Sequence, residues 1–158
     1  MTFDLLLRNA RVVDPSQGID GVQDVALKDG KVAAIGPSLS GDAKDVTDLT
    51  GLIVTPGLID LHTHVYWGGT SLGVDADAFA CASAVTTAVD TGSAGPGNYP
   101  GFKKHVIEKS TARILVYLHV SFAGIFAFSN TIAVGESHDA RLMAPVDAVR
   151  VAKSDPDN

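Results

Sequence analysis

Residues 52–64, Leu52-Ile53-Val54-Thr55-Pro56-Gly57-Leu58-Ile59-Asp60-Leu61-His62-Thr63-His64, join two almost wholly apolar runs through Pro-Gly and end in a His-X-His pair. Strands buried on both faces read this way, as in parallel sheets. Pro56-Gly57 sets the backbone path into the second run. His62 and His64 fall at its C-terminal end, and residues i and i+2 of a strand project to the same side. Both imidazoles can therefore reach one metal ion. Histidine is the commonest protein ligand for zinc, and imidazole also suits iron and nickel. A catalytic metal needs about three protein ligands and an open position for water, so two histidines make a partial site.

Downstream the pattern alternates. Residues 74–85, rich in alanine, are a candidate helix. The β-branched run Val85-Thr86-Thr87-Ala88-Val89-Asp90 is a second strand, followed by the glycine-rich loop 91–98. Residues 102–108 are a short helix, 113–122 (RILVYLHVSF) a third strand, and 144–153 a helix opened by Pro145 and Asp147. Strand–helix alternation implies βα units on a parallel sheet. The barrel rule for such units puts active sites at the C-terminal ends of the strands, where the histidine pair lies.

Upstream, residues 3–54 form short strands with tight turns. Asp14-Pro15-Ser16 ends the first. Residues 22–27 and 32–35 flank Lys28-Asp29-Gly30-Lys31, and Asp-Gly between apolar runs marks a type I′ hairpin. Asp48-Leu49-Thr50-Gly51 is a further turn.

The segment VTPGLIDLHTH (residues 54–64) resembles the end of the first barrel strand in the amidohydrolase superfamily. The β-unit before it is similar to half of that superfamily's accessory β-sandwich. Residues 85–95 resemble the second strand of its deacetylase-like and dihydroorotase-like branch, which often has glycine where this chain has Ala84. The resemblance implies an α/β fold: part of a TIM (β/α)8 barrel, about three βα units in residues 55–158, preceded by part of a small β-sandwich in residues 1–54. It implies one or two divalent metals, most often zinc, with His62 and His64 as the first two ligands. The remaining ligands and the general base are expected beyond residue 158, because a complete barrel needs roughly 250 residues. No catalytic base is assigned within the chain, and Lys153, in a helical pattern, is not taken as a ligand.

The implied activity is hydrolysis of an amide, cyclic amide or acyl ester in a small molecule, through a metal-activated water. The alternative is a truncated, catalytically incompetent polypeptide that folds or associates only with a missing segment or another copy, since an open barrel exposes strand edges. A homo-oligomer is compatible with either.

Three further residues are candidates for substrate contact. Trp67 lies in the loop directly after the histidine pair. His119 lies within the third strand, near its top. His138, in Gly135-Glu136-Ser137-His138-Asp139, lies in the loop that follows. Asp60 is placed to orient a neighbour by hydrogen bonding. His105 is read as solvated and Cys81 as a small buried hydrophobe.

Composition excludes other classes. Hydrophobic residues make up 46% and the formal net charge is −6 with no basic stripe, which argues against nucleic acid. The glycine-rich loop lacks G-x-G-x-x-G and Walker spacing, so no nucleotide is expected. No apolar run reaches the ~20 residues of a membrane span. The single cysteine and the lack of a signal-like N-terminus lead to a cytoplasmic expectation.

Overall fold

The computed structural model describes residues 2–129, 131–134 and 138–157. The chain divides into two compact units, Met1–Pro56 and Gly57–Asn158.

The first unit is one sheet of β1 (Phe3–Asp14), β2 (Ile19–Lys28), β3 (Lys31–Gly36), β4 (Ala43–Asp48) and β5 (Ile53–Val54). The order is β3-β2-β1-β4, with β5 beside the far end of β1. Asp29 and Gly30 have φ of +50° and +71°, the paired left-handed conformations that a type I′ turn requires. The sequence reading missed β4, whose AKDVTD run is mostly exposed and carries only one large apolar side chain. It also made too much of Leu52-Ile53-Val54: only Ile53 and Val54 pair, and Ile53 is exposed. Phe3, Leu6 and Ala26 form one core cluster, and Ala10, Val12 and Val25 another. Between them β1 bulges at Asn9, where φ is +59° and the register jumps from Leu7↔Val25 to Ala10↔Gln23. The buried Asp24 carboxylate fills the gap, accepting from the Asn9 and Leu39 amides and from the Arg8 guanidinium.

In the second unit β6 (Leu58–Thr63), β7 (Val85–Thr91) and β8 (Arg113–Tyr117) form an all-parallel sheet in the order β6-β7-β8. Between and after them lie α1 (Ala76–Ser83), α2 (Tyr99–His105), the short hairpin β9 (Phe126–Ala127) and β10 (Ala133–Val134), and α3 (Pro145–Ser154). The alternation expected from the sequence is present, with shifted ends. α2 begins three residues early, with Pro100 in its first turn, where proline's missing amide costs nothing. β8 stops at Tyr117. Beyond it the chain bonds elsewhere: the His119 amide to the Ala94 carbonyl, and the Phe122 amide to the Leu142 carbonyl. His119 therefore lies in the loop after the strand, a correction to its expected place within it.

One face of this sheet is packed. Ala88 and Ile114 meet Ala76, Phe102 and Val151 from the helices. Phe102 is fully buried and stacks on Tyr66 with centroids 4.5 Å apart. Asp155 ties the end of α3 to α2, accepting from the Tyr99 hydroxyl at 2.5 Å and the Lys103 ammonium at 2.6 Å. Burial, then this acceptor carboxylate, push the Tyr99 phenol well above its ordinary range. The other face is open. Ile59 (60% exposed), Leu61 (68%) and Tyr117 (66%) line a concavity of about 610 Å³ with Val89 and Leu115. The near-continuous apolar runs thus do not mark strands buried on both faces here; one face of β6 and β8 meets solvent.

Asp75 caps α1 by accepting from the Ala78 amide. Ala76, Phe79, Ala80 and Ser83 form the inward row of this helix, and Cys81 lies off it. Cys81 is exposed, which corrects its reading as a buried residue. The helix ends at Ala84 in the left-handed region, φ +58°. A Cβ is unfavourable in that conformation, and helices most often end there on glycine. This is the position at which the sequence departs from the resembling family. The variant Ala84→Gly is expected to raise the unfolding free energy by about 1 kcal/mol, measured by urea denaturation.

Candidate functional site

At the C-terminal ends of β6, β7 and β8, His62, His64 and His119 gather around one turn, the first two placed by two local devices. The first is a bulge in β6. Asp60 pairs with Ala88 but Thr63 pairs with Asp90, so β6 holds one residue more than β7 across that interval. Such a residue re-aims the side chains after it. Asp60 and Thr63 lie on the helix-packed face with Ala88 and Asp90; Thr63 is buried, its hydroxyl donating to the Val89 carbonyl. His62 and His64 flank Thr63 and take the open face. Their rings meet edge to face, with centroids 5.6 Å apart and an interplanar angle of 77°. His62 is exposed and His64 half-buried. Asp60 accepts the His62 amide at 3.0 Å, so its orienting bond is to the backbone of the pair.

The second device is Asp90, the last buried residue of β7 and 0% exposed. One carboxylate oxygen accepts the Val65 amide and the other the Ser93 amide, both at 2.8 Å. The loops after β6 and β7 are thereby clamped together. Ser93, also fully buried, places its hydroxyl 3.1 Å from His64 Nδ1. Sequence reasoning gave neither Asp90 nor Ser93 a role in the site. The available signal was a carboxylate ending an apolar strand beside the histidine pair.

The glycine-rich loop is a packing device. Residues 92–96 are buried. A Cβ at Gly95 would run into the Ser121 carbonyl, so only glycine lets the loops after β7 and β8 approach this closely. Gly92, at φ +93°, lies against the His119 ring; an added Cβ would come within 3.0 Å of its Cδ2. His119 Nδ1 accepts the Ser121 amide at 2.8 Å. His64 and His119 therefore approach adjacent residues of one turn.

The other candidates are exposed. Trp67 is largely exposed and lines a hollow of about 410 Å³ with Tyr66, Asp75, His105 and Lys109, which includes neither His62 nor His64. His105 is exposed, as expected. His138 is exposed, next to Asp139, whose carboxyl the Arg141 guanidinium holds down at about 2. Gly135, Glu136 and Ser137, quoted with it in the sequence, lie outside the described residues. Among the described residues no three His, Cys, Asp or Glu side chains converge as a metal-binding group. No helix among them is long and apolar enough to cross a membrane.

A deacetylase of Brucella anthropi is 38% identical over 110 residues, which is 68% of this chain and 27% of the relative. An allantoinase of Escherichia coli is 43% identical over 96 residues, 57% of this chain and 20% of the relative. A dihydroorotase crystal structure superposes with a TM-score of 0.79 at 30% identity, over 96% of this chain and 40% of that one. The chain belongs to the amidohydrolase superfamily. No family model matches it. The chain spans between a fifth and two-fifths of the length of these three relatives. Within an amidohydrolase chain, the Asp90 clamp sets where the ends of β6 and β7 lie. Asp90→Asn would turn an amide NH2 toward one of the two backbone donors. A loss of about 2–3 kcal/mol is expected in denaturant unfolding, with the Val65 or Ser93 amide newly exposed to hydrogen exchange.

Proposed function

We propose that this chain carries the first part of the active site of a metal-dependent hydrolase acting on an amide, cyclic amide or acyl ester bond, with His62 and His64 as ligands of one divalent ion, zinc. The three parallel βα units are then the opening of a (β/α)8 barrel, and residues 1–54 part of the accessory β-sandwich. A cytoplasmic setting and a small-molecule substrate belong to the same reading.

The observation that carries it is the ring geometry. Two imidazoles bound to one tetrahedral ion through nitrogens at about 2.0–2.1 Å have centroids roughly 5 Å apart, and the rings here stand at 5.6 Å. Ser93 supports it further. A ligating histidine usually donates its other ring N–H to an oxygen, which fixes ring and tautomer. With Nδ1–H directed to the Ser93 hydroxyl, His64 presents the Nε2 lone pair outward. When bound, the ion supplies a Lewis acid that activates water and polarises a carbonyl. This chain's own part is to hold two nitrogens in place: the bulge aims them, Asp60 fixes the His62 backbone, and the Asp90 clamp sets Ser93 beside His64.

Calorimetric titration with zinc tests the reading. The wild-type chain is expected to take up one equivalent, and His62→Ala and His64→Ala to abolish uptake. Ser93→Ala is expected to weaken it by about 10- to 100-fold, the usual effect of removing an outer hydrogen-bond partner. Uptake unchanged in both histidine variants would refute the assignment.

The open face favours a second reading, in which the chain becomes competent only when further polypeptide covers Ile59, Leu61 and Tyr117. Sedimentation of the purified chain, together with assay of N-acyl amino acid hydrolysis, separates the two. A monomer that turns over substrate would exclude the second reading. A self-associating chain that takes up zinc without turnover would support it.

A further inference from the structure

The hydrogen bonds of His119 fix what its ring can offer. Nδ1 accepts the Ser121 amide at 2.8 Å. In the neutral ring one nitrogen accepts and the other carries the proton, so the proton here is on Nε2. Among the described residues the Ser121 amide is the one hydrogen-bond partner of this ring. Its place is equally fixed. The His119 amide donates to the Ala94 carbonyl at 2.9 Å, and the ring rests on Gly92, where any Cβ would press on it. Gly92 precedes Ser93, which holds His64. His64 and His119 thus sit on neighbouring residues of one buried turn, and in the metal reading above their rings use Nδ1 in opposite ways: His119 accepts the Ser121 amide, and His64 donates to Ser93. Once Ser93 accepts from His64, that ring presents a lone pair. His119 presents a proton, so it is a donor and not a third metal ligand.

We infer that His119 is a substrate-positioning residue whose Nε2–H donates a hydrogen bond to an acyl or carboxylate oxygen of the substrate bound at the His62–His64 end of the sheet. This rests on the reading of that end as a hydrolase site. The loop after β8 supplies the donor, the loop after β7 supplies the turn against which both rings rest, and Gly92 leaves room for the His119 ring.

Two measurements on the full chain test it. Long-range 15N–1H correlation at neutral pH reads the tautomer and is expected to show His119 protonated at Nε2; a proton on Nδ1 overturns the inference. N-acetylglycine is then titrated against the chain with and without zinc. His119→Phe keeps a ring and removes the donor, and binding is expected to weaken about tenfold, the worth of one such hydrogen bond. His119→Gln places an amide N–H near the Nε2 position and is expected to restore binding to within about threefold. Zinc uptake is expected to be unchanged in both variants; its loss would make His119 a ligand and overturn the donor role. Equal N-acetylglycine binding by the wild-type and His119→Phe chains, or none by the wild type, also overturns it. If the wild type takes up no zinc, the metal reading fails separately. Weaker binding by metal-free His119→Phe would then still support the donor.

Discussion

The Asp90 carboxylate is the interaction on which the rest of the site depends. It is fully buried, and both its oxygens accept main-chain amides, one from the loop after β6 and one from the loop after β7. A carboxylate so placed is stabilised by those donors and would be costly to bury without them. Its partners are backbone, so the positions they fix are those of the chain itself. Val65 follows His64 directly, and Ser93 touches its ring. The same turn receives the third loop, because Gly95 lets the Ser121 carbonyl come close and Ala94 accepts the His119 amide. Three strand ends are joined through main-chain contacts around one buried charge.

The legible part of this arrangement was the part carried by side-chain type. Alternating apolar runs and breaks gave the order of β6, α1, β7, α2, β8 and α3 in the second unit, though not the β9–β10 hairpin, and His-X-His after a buried-type run gave the pair. Asp29-Gly30 gave its hairpin because two positive φ angles demand such residues. What stayed hidden depends on the backbone or on distant partners. The short strand Ala43–Asp48 pairs with β1 with almost no apolar signature of its own. The run 113–122 reads as one strand because its composition is uniform, yet the chain leaves the sheet at Tyr117 when new partners appear for its amides. Cys81 sits among alanines that look buried in sequence, but eight residues of helix turn only one row inward. Asp90 and Ser93 acquire their roles through residues 25 and 29 positions upstream.

The two faces of the β6-β7-β8 sheet carry different obligations. The helix-packed face is closed by Phe102, Ile114 and Val151, and polar groups entering it, such as Thr63 and Asp90, are hydrogen-bonded. The other face presents large apolar side chains to solvent beside two histidines. Apolar surface of this kind ordinarily marks a place where another surface belongs. The histidine pair therefore lies at the margin between a packed face and an open one.

The bulge between Asp60 and Thr63 makes the histidine pair sensitive to parity. Regular pairing would carry the face of Asp60 straight on to His62 and His64, toward the helices. The extra residue reverses that alternation, while the two-residue spacing keeps both rings together whichever way they point. Loss or gain of a single residue in this interval would leave the motif readable in the sequence and turn both imidazoles to the wrong side of the sheet. The letters His-Thr-His name the pair, but the length of chain before them decides whether it looks outward or into the core.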